Sequence, residues 1–90
     1  MDIMESYVAS ILMDQKCKRV LEIGCAKGYF TKFLSMYSDA EGMDISAPYI
    51  KEAKKLFPEI RFKVGDARGI KIKRKYDAIV SHGFFIHVAP

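Results

Sequence analysis

The sequence predicts an α/β layer fold in which short buried strands run parallel and helices join them. Three observations carry this expectation. Apolar runs of strand length recur along the chain, as in "RVLEIG", "AEGMDI" and "YDAIVS". Segments with apolar residues three and four apart separate most of these runs. Glycine or aspartate closes several of the runs, which is the punctuation of a strand turning into a helix. Strand and helix in alternation imply parallel strands linked by right-handed crossovers.

Each element follows from its own residues. "DIMESYVASILM" places Ile3, Met4, Tyr7, Val8, Ile11 and Leu12 at helical spacing, predicting an amphipathic first helix. "RVLEIG" is a short apolar run ending at Gly24, the pattern of a strand buried on both faces. Past Gly28, residues Phe30, Phe33, Leu34 and Tyr37 again recur at helical spacing. "AEGMDI" reads as a second strand. "SAPYIKEAKKLF" opens with Ser46 as N-cap and Pro48 in the first turn, and predicts a helix to about Phe57. "IRFKVGD" alternates as a third strand, Ala67 to Lys75 reads as a loop or a short helical turn, and "YDAIVS" is a fourth strand. "HGFFIHV" is read as the opening of another helix.

Ninety residues make one small domain with a thin stability margin. Half the residues are hydrophobic and 29% are charged, which is a globular composition. No run approaches the roughly 20 apolar residues of a membrane span. The amino terminus "MDIMESYVAS" holds two acids and no base, unlike a secretory signal; a cytoplasmic protein is expected, with no membrane partner. Cys17 and Cys25 read as free thiols, and no cysteine–histidine spacing suggests a metal site. A net charge of +4 invites a nucleic-acid reading, but the basic residues are scattered and only "KIKRK", Lys71 to Lys75, is clustered. Nucleic acid is therefore disfavoured as a partner.

The chemistry sits in "EIGCAKG", at the carboxyl end of the first strand, where open α/β sheets bind ligands. Gly24 can take a positive φ, and Gly28 removes a side chain where the next helix begins. A Walker A loop requires Gly-Lys-Ser/Thr, and "GYF" stands there instead. The dinucleotide fingerprint needs three small residues, whereas Ala26 and Tyr29 occupy the second and third positions. What remains is acid-x-Gly-x-Gly-x-Gly, met as Glu22, Gly24, Ala26 and Gly28, with alanine for the middle glycine.

On these residues, from about 18 to 88, the chain resembles the amino-terminal half of a class I S-adenosylmethionine-dependent methyltransferase with a Rossmann-like sheet. The resemblance implies S-adenosyl-L-methionine as cofactor and methyl transfer, an EC 2.1.1 type of activity. Glu22, Gly24, Ala26 and Gly28 would cradle its methionine and ribose portions, with Cys25 and Lys27 as intervening loop residues. Asp44, ending the second strand, would hold the ribose hydroxyls, with Ile45 beside the adenine. Asp66 would accept the adenine amine, the backbone of Ala67 would read a ring nitrogen, and Ser81 would touch the cofactor from the fourth strand. His82 and His87 would face the methionine side or the substrate entrance, although no catalytic residue is assigned. Each acid also has a purely structural reading: Asp44 as a cap before Ser46, Asp66 as a turn holder, Glu22 as a partnered buried carboxyl.

The family core has seven strands in the order 3-2-1-4-5-7-6, and this chain is expected to stop after about four. A partial domain spanning residues 1–90 follows, supplying the cofactor-binding half of a longer enzyme. The methyl acceptor stays unidentified, with a small molecule favoured. A fourth strand ending the sheet would present an apolar edge through which the chain could self-associate. The alternatives are a non-catalytic cofactor-binding module and, more distantly, a nicotinamide-dependent oxidoreductase.

Overall fold

The computed structural model describes residues 3–14, 16–68, 75–81 and 84–88. Helix α1 (Ile3–Asp14) leads into strand β1 (Arg19–Ile23), helix α2 (Tyr29–Leu34) and strand β2 (Asp39–Asp44). Helix α3 (Ala47–Leu56), then strands β3 (Arg61–Val64), β4 (Ala78–Ser81) and β5 (Phe84–Val88), complete the order. The sheet runs β3-β2-β1-β4-β5. β1 lies parallel to both β2 and β4, and β2 parallel to β3, as the alternating pattern predicts. The α/β fold with a Rossmann-like sheet and flanking helices is therefore present.

One expected element takes a different form. "FFIHV" is a strand, not a helix opening, and β5 pairs antiparallel with β4, Ser81 opposite Phe84. Its run of aromatic and β-branched residues suits a pleated surface, and a connection of two residues in sequence closes an antiparallel pair. The sheet thus has five strands among the described residues, and β4 is an interior strand. Among the described residues the edge strand on this side is β5, not the expected β4. A shift in register between Ile79 and Val80 marks a bulge in this pair.

The three helices share one face of the sheet. Val8 and Leu12 of α1 meet Leu34 of α2 over Val20, Ala40, Ala78 and Val80. Ile50 and Ala53 of α3 cover Phe62 and Cys25 beside them. Only part of the α1 face expected to be buried is so: Ile3 is 90% and Tyr7 58% exposed. The helix is apolar nearly all round, so spacing alone does not reveal which stripe meets the sheet. Ser46 caps α3 as expected, its Oγ accepting from the Tyr49 amide at 3.3 Å.

On the opposite face Leu21, Met43, Ile79 and Tyr76 form a second cluster. A polar knot borders it. Tyr76 donates its hydroxyl to buried Glu41, which also accepts from Arg19 at 3.1 Å and pairs with Arg61 at 3.0 Å. Asp77 accepts the Lys18 and Arg19 amides, both at 2.8 Å, fixing the entry to β1.

Candidate functional site

The β1–α2 turn is built by left-handed backbone at three positions: Gly24 (φ 70°), Ala26 (φ 49°) and Gly28 (φ 88°). These match the expected glycine pattern, and Ala26 adopts the conformation for which that pattern prefers glycine. The Gly24 and Cys25 amides donate to the Met43 carbonyl at 2.8 and 3.0 Å, which stitches the turn to β2. The Gly65 amide donates to the Asp44 carbonyl at 3.0 Å. The carboxyl ends of β1, β2 and β3 are thereby drawn together.

Asp44 is the hinge of this arrangement. Its Oδ2 accepts the Ala26 amide at 2.9 Å, and its Oδ1 accepts the Ser46 amide at 2.9 Å. The cap reading and the site reading therefore hold at once: one carboxylate binds the turn and starts the loop into α3. Each oxygen keeps a second lone-pair direction, so the group can still accept from a diol. Ile45 beside it is 75% exposed. An apolar side chain thus stands in solvent next to a half-buried carboxylate.

Glu22 is turned under the turn instead of out of it. It is 4% exposed, and Thr31 of α2 donates its hydroxyl to Oε1 at 2.5 Å. Burial, and secondarily the nearby Asp44 carboxylate, push its pKa up to about 7 against the Thr31 hydrogen bond. The folded chain therefore holds a proton that the unfolded chain releases near the ordinary value of 4.5. Stability falls as pH rises through the window between about 4.5 and about 7, and is level above it. The full loss is about 3 kcal/mol. In Glu22→Gln that slope flattens, so urea denaturation at pH 8 should find the variant at least as stable as the parent. At pH 5 the two should be nearly equal.

Cys25 packs away from the turn's exposed side, against Ile50, Ala53, Ile60 and Phe62. Burial first, then the Glu22 and Asp44 carboxylates, push its thiol up to about 12, so it carries no thiolate at neutral pH. The Cys25 side chain is thus taken up by packing, and its amide by the Met43 carbonyl. Gly28 likewise serves packing as much as ligand access, since the Phe62 ring occupies the space over it.

The remaining expected residues lie nearby in different states. Ser81 ends β4 opposite Ile23, one residue before the turn. Asp66 is clasped by Arg68, which donates to it from its amide at 2.9 Å and from its guanidinium at 2.6 Å. Those hydrogen bonds hold Asp66 down at about 2. Ala67 packs on the Leu21–Met43 cluster. Tyr29, the bulky residue that departs from the dinucleotide fingerprint, is 64% exposed and meets Phe57 edge-on at 5.5 Å. The backbone of His87 pairs with Ile79 in β5, while His82 and residues 71–74 lie outside the described residues. The sequence does not single out Thr31 or Phe62; for Thr31 the one signal is its place in α2, nine residues past the Glu22 to which it donates.

A glycine turn tied to a strand-end carboxylate thus stands at the carboxyl ends of the strands, the place where open α/β sheets bind ligands. Residues 20–90 match a family model described as a methyltransferase domain, and the chain belongs to that methyltransferase family. It is 39% identical over 67 residues to protein 235L of Invertebrate iridescent virus 6, which carries a methyltransferase name, covering 71% of this chain and 25% of that one. It is 37% identical over 71 residues to a malonyl-[acyl-carrier protein] O-methyltransferase of Priestia megaterium, covering 73% and 26%. Among solved structures, a TehB-like SAM-dependent methyltransferase from Corynebacterium glutamicum superposes with a TM-score of 0.64 and 33% identity, over 89% of this chain and 45% of that one. The chain spans about a quarter of the length of the curated relatives it matches.

Among the described residues no helix is long and apolar enough to cross a membrane. No group of three or more histidine, cysteine, aspartate or glutamate side chains among them could hold a metal ion.

Proposed function

We propose that this chain is the cofactor-binding part of an enzyme that transfers a methyl group from S-adenosyl-L-methionine to a small-molecule acceptor. The observation that carries the reading is the Asp44 carboxylate, bonded to the Ala26 amide at 2.9 Å and still able to accept from a ribose diol. When bound, the cofactor supplies an electrophilic methyl group on a positively charged sulfur, so an already nucleophilic acceptor needs chiefly to be placed in line. Asp44 holds the ribose hydroxyls, and the left-handed backbone at Gly24 and Ala26 keeps side chains clear of the methionine portion. Ile45 lies along the adenine, with Asp66 and the Ala67 backbone at its edge once the Arg68 clasp is shared or exchanged. Ser81 closes the near side from β4.

The cations support a small acceptor over a nucleic acid. Lys32 pairs with Glu59 at 2.9 Å, Arg61 with Asp39 at 3.0 Å, and Arg68 with Asp66 at 2.6 Å. These pairs take up only part of the basic charge, since the net charge is +4, and the case against a phosphate backbone is the scatter of the cations along the chain. A cytoplasmic setting accords with two buried free thiols.

A thermal shift tests the reading. S-adenosylhomocysteine at a hundredfold excess over its dissociation constant should raise the melting temperature by about 10–20 °C, because it binds only the folded chain. A nicotinamide dinucleotide at the same concentration should leave it unchanged. The reverse pattern would return the chain to the oxidoreductases.

A further inference from the structure

Phe62 sits at the middle of β3, buried, with Gly42 of β2 as its cross-strand partner. A Cβ placed on Gly42 would lie 2.6 Å from Phe62 Cδ1 and 2.9 Å from Cys25 Sγ. One placed on Gly28 would lie 2.5 Å from Phe62 Cζ. These separations are shorter than carbon atoms tolerate, so both glycines are bare because the ring fills their side-chain space. One aromatic plate thus rests on β2 along one edge and abuts the β1–α2 turn with its tip. Ile50 and Ala53 of α3 close the cluster around it.

We propose that Phe62 is a positioning residue for the cofactor site, setting the spacing between the Gly24–Gly28 turn and the end of β2. This rests on the cofactor reading above. Close-packed interiors do not compress, so the ring fixes how near the turn can settle toward the helical face of the sheet. That spacing decides whether the Ala26 amide reaches Asp44 Oδ2, the contact observed at 2.9 Å. Asp44 is then presented to the ribose at one height. Phe62 touches no ligand and acts entirely through the turn.

The test combines affinity with a measurement that needs no ligand. Phe62→Leu should weaken S-adenosylhomocysteine binding about tenfold in calorimetry, as expected when a binding group is displaced by a fraction of an ångström to an ångström. In the ligand-free chain, hydrogen exchange at the Ala26 amide should speed up about tenfold. Ile60→Val, in the same cluster but not among the atoms nearest either glycine's side-chain position, should lower the melting temperature without changing either readout. Gly42→Ala should also weaken binding, and the Gly42→Ala/Phe62→Leu pair should recover much of the loss, because the smaller side chain makes room for the added methyl. If Phe62→Leu does not fold, Phe62→Met keeps more of the volume and should shift both readouts in the same direction. Wild-type affinity and Ala26 protection in a folded Phe62 variant would overturn the proposal. So would equal losses in Ile60→Val. A parent chain that binds no S-adenosylhomocysteine would sink the cofactor reading alone, and Ala26 exchange would still decide whether Phe62 sets the turn.

Discussion

Asp44→Ala should weaken S-adenosylhomocysteine binding by at least about a hundredfold, the loss expected for two hydrogen bonds to a charged acceptor. The residue does two things in the structure, and alanine abolishes both. It accepts the Ala26 amide and so holds the turn, and it accepts the Ser46 amide and so fixes the start of the loop into α3. A ribose would lose its acceptor, and the turn would lose one of its ties to β2, the Met43 carbonyl still holding the Gly24 and Cys25 amides. Asp44→Asn separates the parts. Its carbonyl oxygen still accepts one amide, but its NH2 opposes the other, and the charge is gone. Affinity between the parent and Asp44→Ala is the expected calorimetric result. Unchanged affinity in Asp44→Ala would remove the residue from the site, whatever the fate of the turn.

Gly28→Ala should be the most damaging of the single-methyl additions. The new Cβ would meet Phe62 Cζ at 2.5 Å and Ala53 Cβ at 3.3 Å, on a backbone with φ +88°. Left-handed backbone costs a non-glycine residue about 1–2 kcal/mol. Overpacking a filled site adds about 1–3 kcal/mol. A total of about 3 kcal/mol is a large part of the stability available to so small a domain. Gly65→Ala is the matched control. Its Cβ would stand 3.5 Å from the Met43 sulfur, an ordinary contact, on backbone without a positive φ, and its effect should stay within about 0.5 kcal/mol. Urea denaturation of the two variants side by side checks the contrast. Equal midpoints would mean that the Phe62 ring yields easily, which would also weaken its positioning role.

The parts legible in the sequence were those carried by local pattern. Strand ends at Ile23, Asp44 and Ser81 follow from apolar runs meeting turn residues, and the α3 cap follows from Ser46 with Pro48. The turn was legible because its conformation restricts residue type at Gly24 and Gly28. What stayed hidden depends on contacts between distant segments. "FFIHV" fits either a strand or a helix by periodicity, and pairing with β4 decides in favour of the strand. Glu22 has the sequence position of a group offered to a ligand, but Thr31, packed over the same face, donates to it. Nothing in the spacing signals that Arg68 clasps Asp66. The role of Phe62 is invisible in one dimension, since the two glycines it fills come from other elements.

The most direct measurement is a crystal structure of the chain with S-adenosylhomocysteine. The expected result is both ribose hydroxyls within hydrogen-bond distance of the Asp44 oxygens, with the Ala26 amide still donating to Oδ2 and the base lying along Ile45. A nucleoside bound anywhere else, or at this turn with its diol away from Asp44, would contradict it.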